Sequence, residues 1–377
     1  MLFDSFDAEP EEEDALPDLP PEPGLRPPRQ MESCTGQDEI ERALLDLAQG
    51  GRMPHALILA GPEGVGKATL AFRLARYLFK YGTEEETGGL FGESLPIEKP
   101  PSLHVDPSDP VFRQVAAGGH PDLMTIGRET DEKTGRQKSG VSVDAVRKAA
   151  PFLRMTAAQG GWRIVIVDDA DTMNRSAQNA LLKILEEPPK QALLVLITHR
   201  IGALIPTICS RCRVINVPPL AQNEFMTLIR TAHPTLSFTD GETLYAIAAG
   251  SAGRGLVIAE EDGLAMLGTI LPLLAEEAQR PWTAIHKLSD KLSRPGSETA
   301  YQAFCDLMLW THGAVLRSVA RQTPLPAALE SLAPLRDHYS LPAWIARYET
   351  LQNHFDTFAR ANLDKRQAVL GAFHNFA

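Results

Sequence analysis

The chain has 377 residues, enough for two or three domains, and its 44% hydrophobic and 23% charged content is that of an ordinary soluble globular protein. No apolar run is long enough to span a bilayer and no basic-then-apolar leader opens the chain; four cysteines (Cys34, Cys209, Cys212 and Cys305) make no disulfide framework, which points to a reducing cytoplasm. The formal net charge is −11, but residues 1–30 hold nine acids against Arg26 and Arg29, so only about −4 is left elsewhere, and no basic excess suggests strong independent DNA binding.

In chain order, residues 1–33 read as a disordered acidic tail, rich in proline and too poor in apolar residues to offset chain ordering. Leu2, Phe3 and Phe6 could form a docking motif within it, but an inert tail is the favoured reading. The ordered chain is expected from Cys34. Asp38–Ala48 reads as a helix with Ile40, Leu44, Leu45 and Leu47 apolar. Ala56–Ala60 reads as a buried strand, Gly61–Lys67 as a glycine-rich loop and Ala68–Phe79 as a helix. Strand, GxxxxGK and helix in that order is the P-loop context. Glycines such as Gly61, Gly64 and Gly66 let successive amides turn toward phosphate oxygens at a helix N-terminus, and Lys67 would neutralise the β and γ phosphates. The motif requires Ser or Thr after the lysine to hold Mg²⁺; here Ala68 stands there. Thr69 follows, but one helical step turns a side chain by roughly 100°, away from that ligand position. The loop therefore suits phosphate better than metal-assisted hydrolysis.

Residues 81–119 show Gly, Pro and acidic clusters without periodicity and read as a long surface excursion. His104 and His120 have no cysteine between them, so no zinc site is expected. Asp122–Ile126 reads as a strand, Arg128–Gly140 as a polar loop, and VSVDAVRKAAPFLRM as a helix interrupted near Pro151. Arg163–Val167 and Ala192–Thr198 are short, β-branched and continuously apolar, as strands buried on both faces should be. Between them Ala177, Ala180, Leu181, Ile184 and Leu185 fall at helical spacing, with Asn174 or Ser176 as the cap and Pro188-Pro189 as the stop. Asp168, Asp169 and Asp171 sit just past the end of the first of these strands, on the sheet edge where α/β folds bind ligands. Cys209 and Cys212 have metal or redox spacing, but no second pair accompanies them. Val214–Val217 reads as a fifth strand and Pro218-Pro219 as a boundary. Gln222–Thr231 and Thr243–Ala249 read as short helices. Helical candidates then follow at Leu264–Glu277, Trp282–Leu292, Glu298–Arg321, Pro342–Ala361 and Lys365–Phe373.

GGHPDLMTI, VSVDAVRK, GWRIVIVDDAD, NALLKILEEPP and SRCR occur in this order and spacing. They resemble the delta-prime subunits of the bacterial DNA polymerase III clamp loader, a branch of the AAA+ ATPases similar to the gamma/tau subunit. The likeness covers most of residues 36–220. It implies an α/β fold: a five-stranded parallel P-loop sheet over 34–219, a small helical lid over 220–263 and an all-helical collar over 264–377. It also implies roles. Asp168 and Asp169 stand where an active ATPase has the Asp-Glu pair that organises Mg²⁺ and activates water, Asp169 being one methylene short. Thr198 matches the polar residue that contacts the γ-phosphate or the lytic water, and Arg254 the lid arginine that reaches a nucleotide. An exposed arginine at a helix start is the alternative for Arg254. Arg211 resembles an arginine finger supplied to a neighbouring subunit; a structural salt bridge is the alternative. The four-cysteine zinc module of many relatives is missing. The implied cofactor is ATP, with Mg²⁺ only if the site were competent for hydrolysis, and no zinc. The implied partners are gamma/tau and delta subunits in a hetero-oligomeric ring, and the sliding clamp and primed DNA through that ring, with no membrane. A motor subunit of the gamma/tau kind and a nucleotide-free adaptor are the alternatives.

Overall fold

The structure is a computed structural model that describes residues 26–82, 100–130, 138, 140–159, 161–275, 280–361 and 363–376. Most of the acidic tail, with Leu2, Phe3 and Phe6, lies outside the described residues. So do the middle of the 81–119 segment and most of the polar loop before Gly140. Among the described residues no helix is long and apolar enough to cross a membrane.

Helix α1 (Asp38–Gln49) leads into β1 (Ala56–Ala60) and α2 (Lys67–Tyr81). Next come α3 (Pro110–Ala117), β2 (Leu123–Ile126), α4 (Val143–Arg147), α5 (Ala149–Arg154), β3 (Arg163–Val167), α6 (Arg175–Glu186), β4 (Ala192–Thr198), the single turn α7 (Pro206–Cys209) and β5 (Arg213–Asn216). The five strands are parallel in the order β2-β3-β4-β1-β5. Every residue of β1, β3 and β4 is buried, because helices cover both faces. One face packs Leu57, Leu59, Ile164, Ile166 and Val195 against α1 and α2; the other packs Ile58, Val165, Val167, Leu194 and Leu196 against α4–α6. The alternation follows from the two-residue period of a strand.

Three expectations are corrected. The 81–119 segment is not wholly a surface excursion: it contains α3, whose Asp109 side chain caps the Val111 amide, and it buries Leu103, Val105, Phe112 and Val115. Residues 26–33 do not continue the tail. Their carbonyls at Arg29 and Met31 accept from the buried Arg76, which also lies 4.3 Å from the Phe112 ring and whose pKa burial lowers to about 10. The helix expected to break near Pro151 breaks earlier, at Lys148, with Pro151 in the first turn of α5 where its missing amide costs nothing.

Beyond Leu220 the chain is helical: α8 (Gln222–Ala232), α9 (Phe238–Ala248), α10 (Ala252–Glu260), α11 (Gly263–Ala275), α12 (Trp282–Leu292), α13 (Glu298–Arg321), α14 (Ala333–His338), α15 (Leu341–Ala361) and α16 (Lys365–Phe376). Their apolar faces meet in one continuous core from Leu220 and Phe225 to Phe373 and Phe376. Lid-like and collar-like helices therefore share an interior, and α10 packs on both α8 and α13.

Candidate functional site

Parallel pairing of β1 with β4 brings the residue after β1 beside the end of β4: the Gly61 amide donates to the Thr198 carbonyl at 3.2 Å. The loop then turns through left-handed conformations at Gly64 (φ +73°) and Gly66 (φ +99°), which only glycine adopts cheaply. The turn aims the N-terminus of α2 at the sheet edge. Lys67, 3% exposed, folds back over its own loop and donates from Nζ to the Gly61 carbonyl at 2.8 Å and to the Pro62 carbonyl. Burial lowers its pKa, and the nearby Asp168 carboxylate works against that shift. Ala68 is half-buried, and Thr69 is buried one step further round the helix.

Across from the loop, Asp168 accepts the Asp169 amide at 2.9 Å, and burial, then the neighbouring Asp169 charge, raises its pKa. Asp169 sits at φ +51° and its carboxylate is tied to Arg128 Nε at 2.6 Å, with His199 Nδ1 at 3.6 Å. Thr198 is fully buried; its Oγ1 accepts the Arg200 amide at 3.2 Å and lies 3.5 Å from Asp171. Burial alone would raise the Asp171 pKa, but the His199 amide, the His199 ring and Arg200 hold it below the usual value. The donor set thus offers a lysine and loop amides to phosphate. It lacks the hydroxyl after the lysine, and the second carboxylate is held in an ion pair. These residues fit a phosphate better than a magnesium ion.

The lid closes on the loop. Ser251 Oγ donates to the Glu63 carbonyl at 2.7 Å, and the Gly253 amide donates to the Gly64 carbonyl at 2.8 Å. The Arg254 guanidinium is engaged with Asp306 of α13, Nε to Oδ2 at 3.0 Å. Gln37 donates to the Val65 carbonyl at 3.2 Å and the Pro218 carbonyl at 2.8 Å, joining loop and domain boundary.

Arg211 stands apart from this pocket, exposed after α7. Nη2 meets Glu186 at 3.1 Å and Nη1 donates to the Thr207 carbonyl at 3.1 Å. The segment that carries it is clamped by Gln178 of α6, 4% exposed, which donates to the Met173 and Ala203 carbonyls at 3.0 Å each and accepts the Ile205 amide at 2.8 Å. Cys209 and Cys212 are free thiols packed partly against the core, and burial pushes Cys212 up to about 12. His104 is exposed, whereas His120 is buried and stacks on Phe79 at 3.9 Å. Among the described residues no group of His, Cys, Asp or Glu is arranged to hold a metal ion.

The structure brings Gly61, Gly64, Gly66, Lys67, Asp168, Asp169 and Thr198 to one edge, and leaves Arg211 outside that edge. Sequence reasoning placed Asp171 at this edge with Asp168 and Asp169, but missed Gln37, Arg128, Gln178, His199 and Asp306. A polar side chain on the apolar stripe of α6 was a usable signal for Gln178; the others are paired only by the fold.

A parallel sheet ordered β2-β3-β4-β1-β5, a glycine-rich loop after β1, an acidic pair after β3 and a helical segment seated on the loop define an α/β fold of the AAA+ class. Residues 36–221 match the family described as DNA polymerase III, delta subunit. The chain is 36% identical over 165 residues to the DNA polymerase III subunit delta' of Pseudomonas aeruginosa, covering 43% of each chain. It is 30% identical over 229 residues to the subunit delta' of Escherichia coli, covering 60% of this chain and 61% of that one. The chain thus spans about half the length of these relatives. A solved gamma subunit-related protein from Thermotoga maritima aligns over 88% of this chain and 98% of its own, at 18% identity and a TM-score of 0.42. The delta-prime likeness read from the motifs holds.

Proposed function

We propose that this chain is a delta-prime-type subunit of a DNA polymerase III clamp loader, and that it serves a neighbouring subunit's ATP rather than its own. One observation carries this reading. The exposed Arg211 guanidinium projects from a segment braced by Gln178, while Lys67 in the home pocket is satisfied by its own loop carbonyls. A guanidinium is planar, permanently charged and able to bridge two phosphate oxygens. Placed on a neighbour's γ-phosphate it stabilises the charge that develops in phosphoryl transfer, an effect of about 10³–10⁵ in rate for such fingers. Its contacts with Glu186 and Thr207 are surface contacts, and a phosphate can displace them at small cost. With Ala68 in place of a hydroxyl, the home site's own ATPase activity is weak or absent. Gamma/tau and delta subunits would complete the ring, which places the sliding clamp on primed DNA.

The test is Arg211→Ala in the reconstituted loader. DNA-stimulated ATP turnover should fall about 10³-fold at the site facing this subunit. Turnover equal to that of the unaltered loader would remove the trans role. The left-handed glycines of the loop favour a second reading, in which the home pocket holds ATP without hydrolysing it. Equilibrium titration of the isolated chain with ATP separates the two.

A further inference from the structure

Arg254 lies in the first turn of α10, where the capping Ser251 Oγ accepts its amide at 3.2 Å. The helix dipole disfavours a cation at that end, so the guanidinium calls for an anion close by. Its backbone abuts the glycine-rich loop. The Gly253 amide donates to the Gly64 carbonyl at 2.8 Å, and the Arg254 nitrogen is 3.0 Å from where a Cβ on Gly64 would stand. A long, rotatable stem lets the guanidinium turn either to the loop or away from it. In this structure it turns away, and Nε donates to Asp306 Oδ2 of α13 at 3.0 Å. The two side chains are 32% and 21% exposed, so the pair is open enough to be exchanged for another partner.

Asp306 also belongs to the surroundings of the loop. Burial raises its pKa, Arg254 pulls it down, and the charge of Glu63, a loop residue, pushes it up again. The same Glu63 charge acts on Lys67. Pair, loop carboxylate and lysine therefore share one electrostatic neighbourhood. A carboxylate and a phosphate oxygen offer a guanidinium the same kind of charge-assisted hydrogen bond, so they compete for it. We propose that Asp306 is a positioning residue that stands in for a phosphate: its carboxylate holds Arg254 away from the home pocket and so keeps that pocket's affinity for a nucleoside triphosphate low. The inference rests on the second reading above, in which the home pocket can hold ATP. It adds the group inside this chain that the triphosphate must displace.

The experiment titrates the full chain with ATP by calorimetry in four forms: unaltered, Asp306→Asn, Arg254→Ala and the two changes together. Asp306→Asn keeps the shape of the side chain and removes its charge. It should tighten ATP binding by about tenfold or more, the worth of one charge-assisted hydrogen bond released to the ligand. In the Arg254→Ala background the same change should alter affinity by less than about threefold, because no guanidinium is left to release. An equal gain in both backgrounds overturns the proposal, since it describes relief of repulsion or loosened helices and not a diverted arginine. So does an unchanged affinity in Asp306→Asn beside measurable binding by the unaltered chain; the pocket then holds ATP and Asp306 does not control it. Absence of binding in all four forms up to about 10 mM ATP removes the pocket reading itself, and the proposal with it. Should Asp306→Asn fail to fold, as judged by its unfolding midpoint, Asp306→Ser at the same partly exposed position carries the same expectations.

Discussion

Replacing Gln178 by Leu keeps the volume of the side chain and removes its chemistry. Gln178 is 4% exposed, and its amide makes three hydrogen bonds, to the Met173 and Ala203 carbonyls and from the Ile205 amide, at 2.8–3.0 Å. Leucine leaves those three backbone groups without partners. At about 1 kcal/mol each, the loss is about 3 kcal/mol. In a domain of this size each kcal/mol moves the midpoint by about 2–4 °C, so the unfolding of the sheet domain should fall by about 6–12 °C. Calorimetry of the full chain measures it. The location of the damage is as diagnostic as its size. All three partners belong to the segments that flank α6 and precede α7, so amide exchange over residues 201–212 should accelerate about 10²-fold while α2 stays protected. A loss under about 1 kcal/mol would refute the reasoning. Equal acceleration across α2 would refute the idea that Gln178 braces the Arg211 segment in particular.

Asp122→Asn should be at least as costly as that loss. Asp122 and Arg163 are buried 3.2 Å apart, and Asp122 also accepts the Ala158 and Gln159 amides, so the change strands a guanidinium at about 3–5 kcal/mol, read by urea unfolding. Gly64→Ala places a Cβ 2.4 Å from Ser251 Oγ at a residue with φ +73°. Strain and the displaced lid together should cost about 2 kcal/mol, with faster amide exchange at residues 251–255. His312 is fully buried among Trp344, Tyr348 and Phe376, and burial lowers its pKa from 6.5 to about 4. The unfolded chain takes up that proton first as pH falls. Stability from this residue is therefore complete above pH 6.5 and is lost progressively toward about pH 4, by about 3 kcal/mol. His312→Phe should flatten that part of a thermal-midpoint-against-pH curve; an unchanged slope would assign it to other groups.

The sheet and the P-loop were legible because their signals are local. β1, β3 and β4 are unbroken apolar runs, and α6 carries a clear stripe between Asn174 and two prolines. Helix α3 was hidden because eight residues among glycine, proline and acids give too little periodicity, although Asp109-Pro110 at its start and Gly118 at its end are ordinary cap signals. Missing helix α14 and starting α9 five residues late have the same cause. The candidate site divides differently. Residue identities after β1, β3 and β4 could be read in place, but their partners could not. Arg128 reaches Asp169 across 41 positions and Arg254 reaches Asp306 across 52. An arginine read as a nucleotide contact is thus engaged with a collar-side carboxylate, and no spacing rule could show it.

Those long-range partners bear on the proposed division of labour. Ser251 and Gly253 hold the P-loop, the next residue, Arg254, holds Asp306, and Asp306 belongs to α13, whose apolar side lies in the core shared by the lid and collar helices. Loop, lid and collar are therefore mechanically continuous. A ligand that drew Lys67 off the Gly61 and Pro62 carbonyls while opening the lid would break two charge-assisted bonds, two lid bonds and the Arg254–Asp306 pair, several kcal/mol in gross terms. Freeing Arg211 costs one exposed ion pair and one surface hydrogen bond, about 1 kcal/mol. The home pocket resists rearrangement while the Arg211 side chain does not. That difference is what a rigid subunit serving its neighbour's phosphate requires, and it is the reverse of what a motor subunit, which must open and close on its own nucleotide, would need.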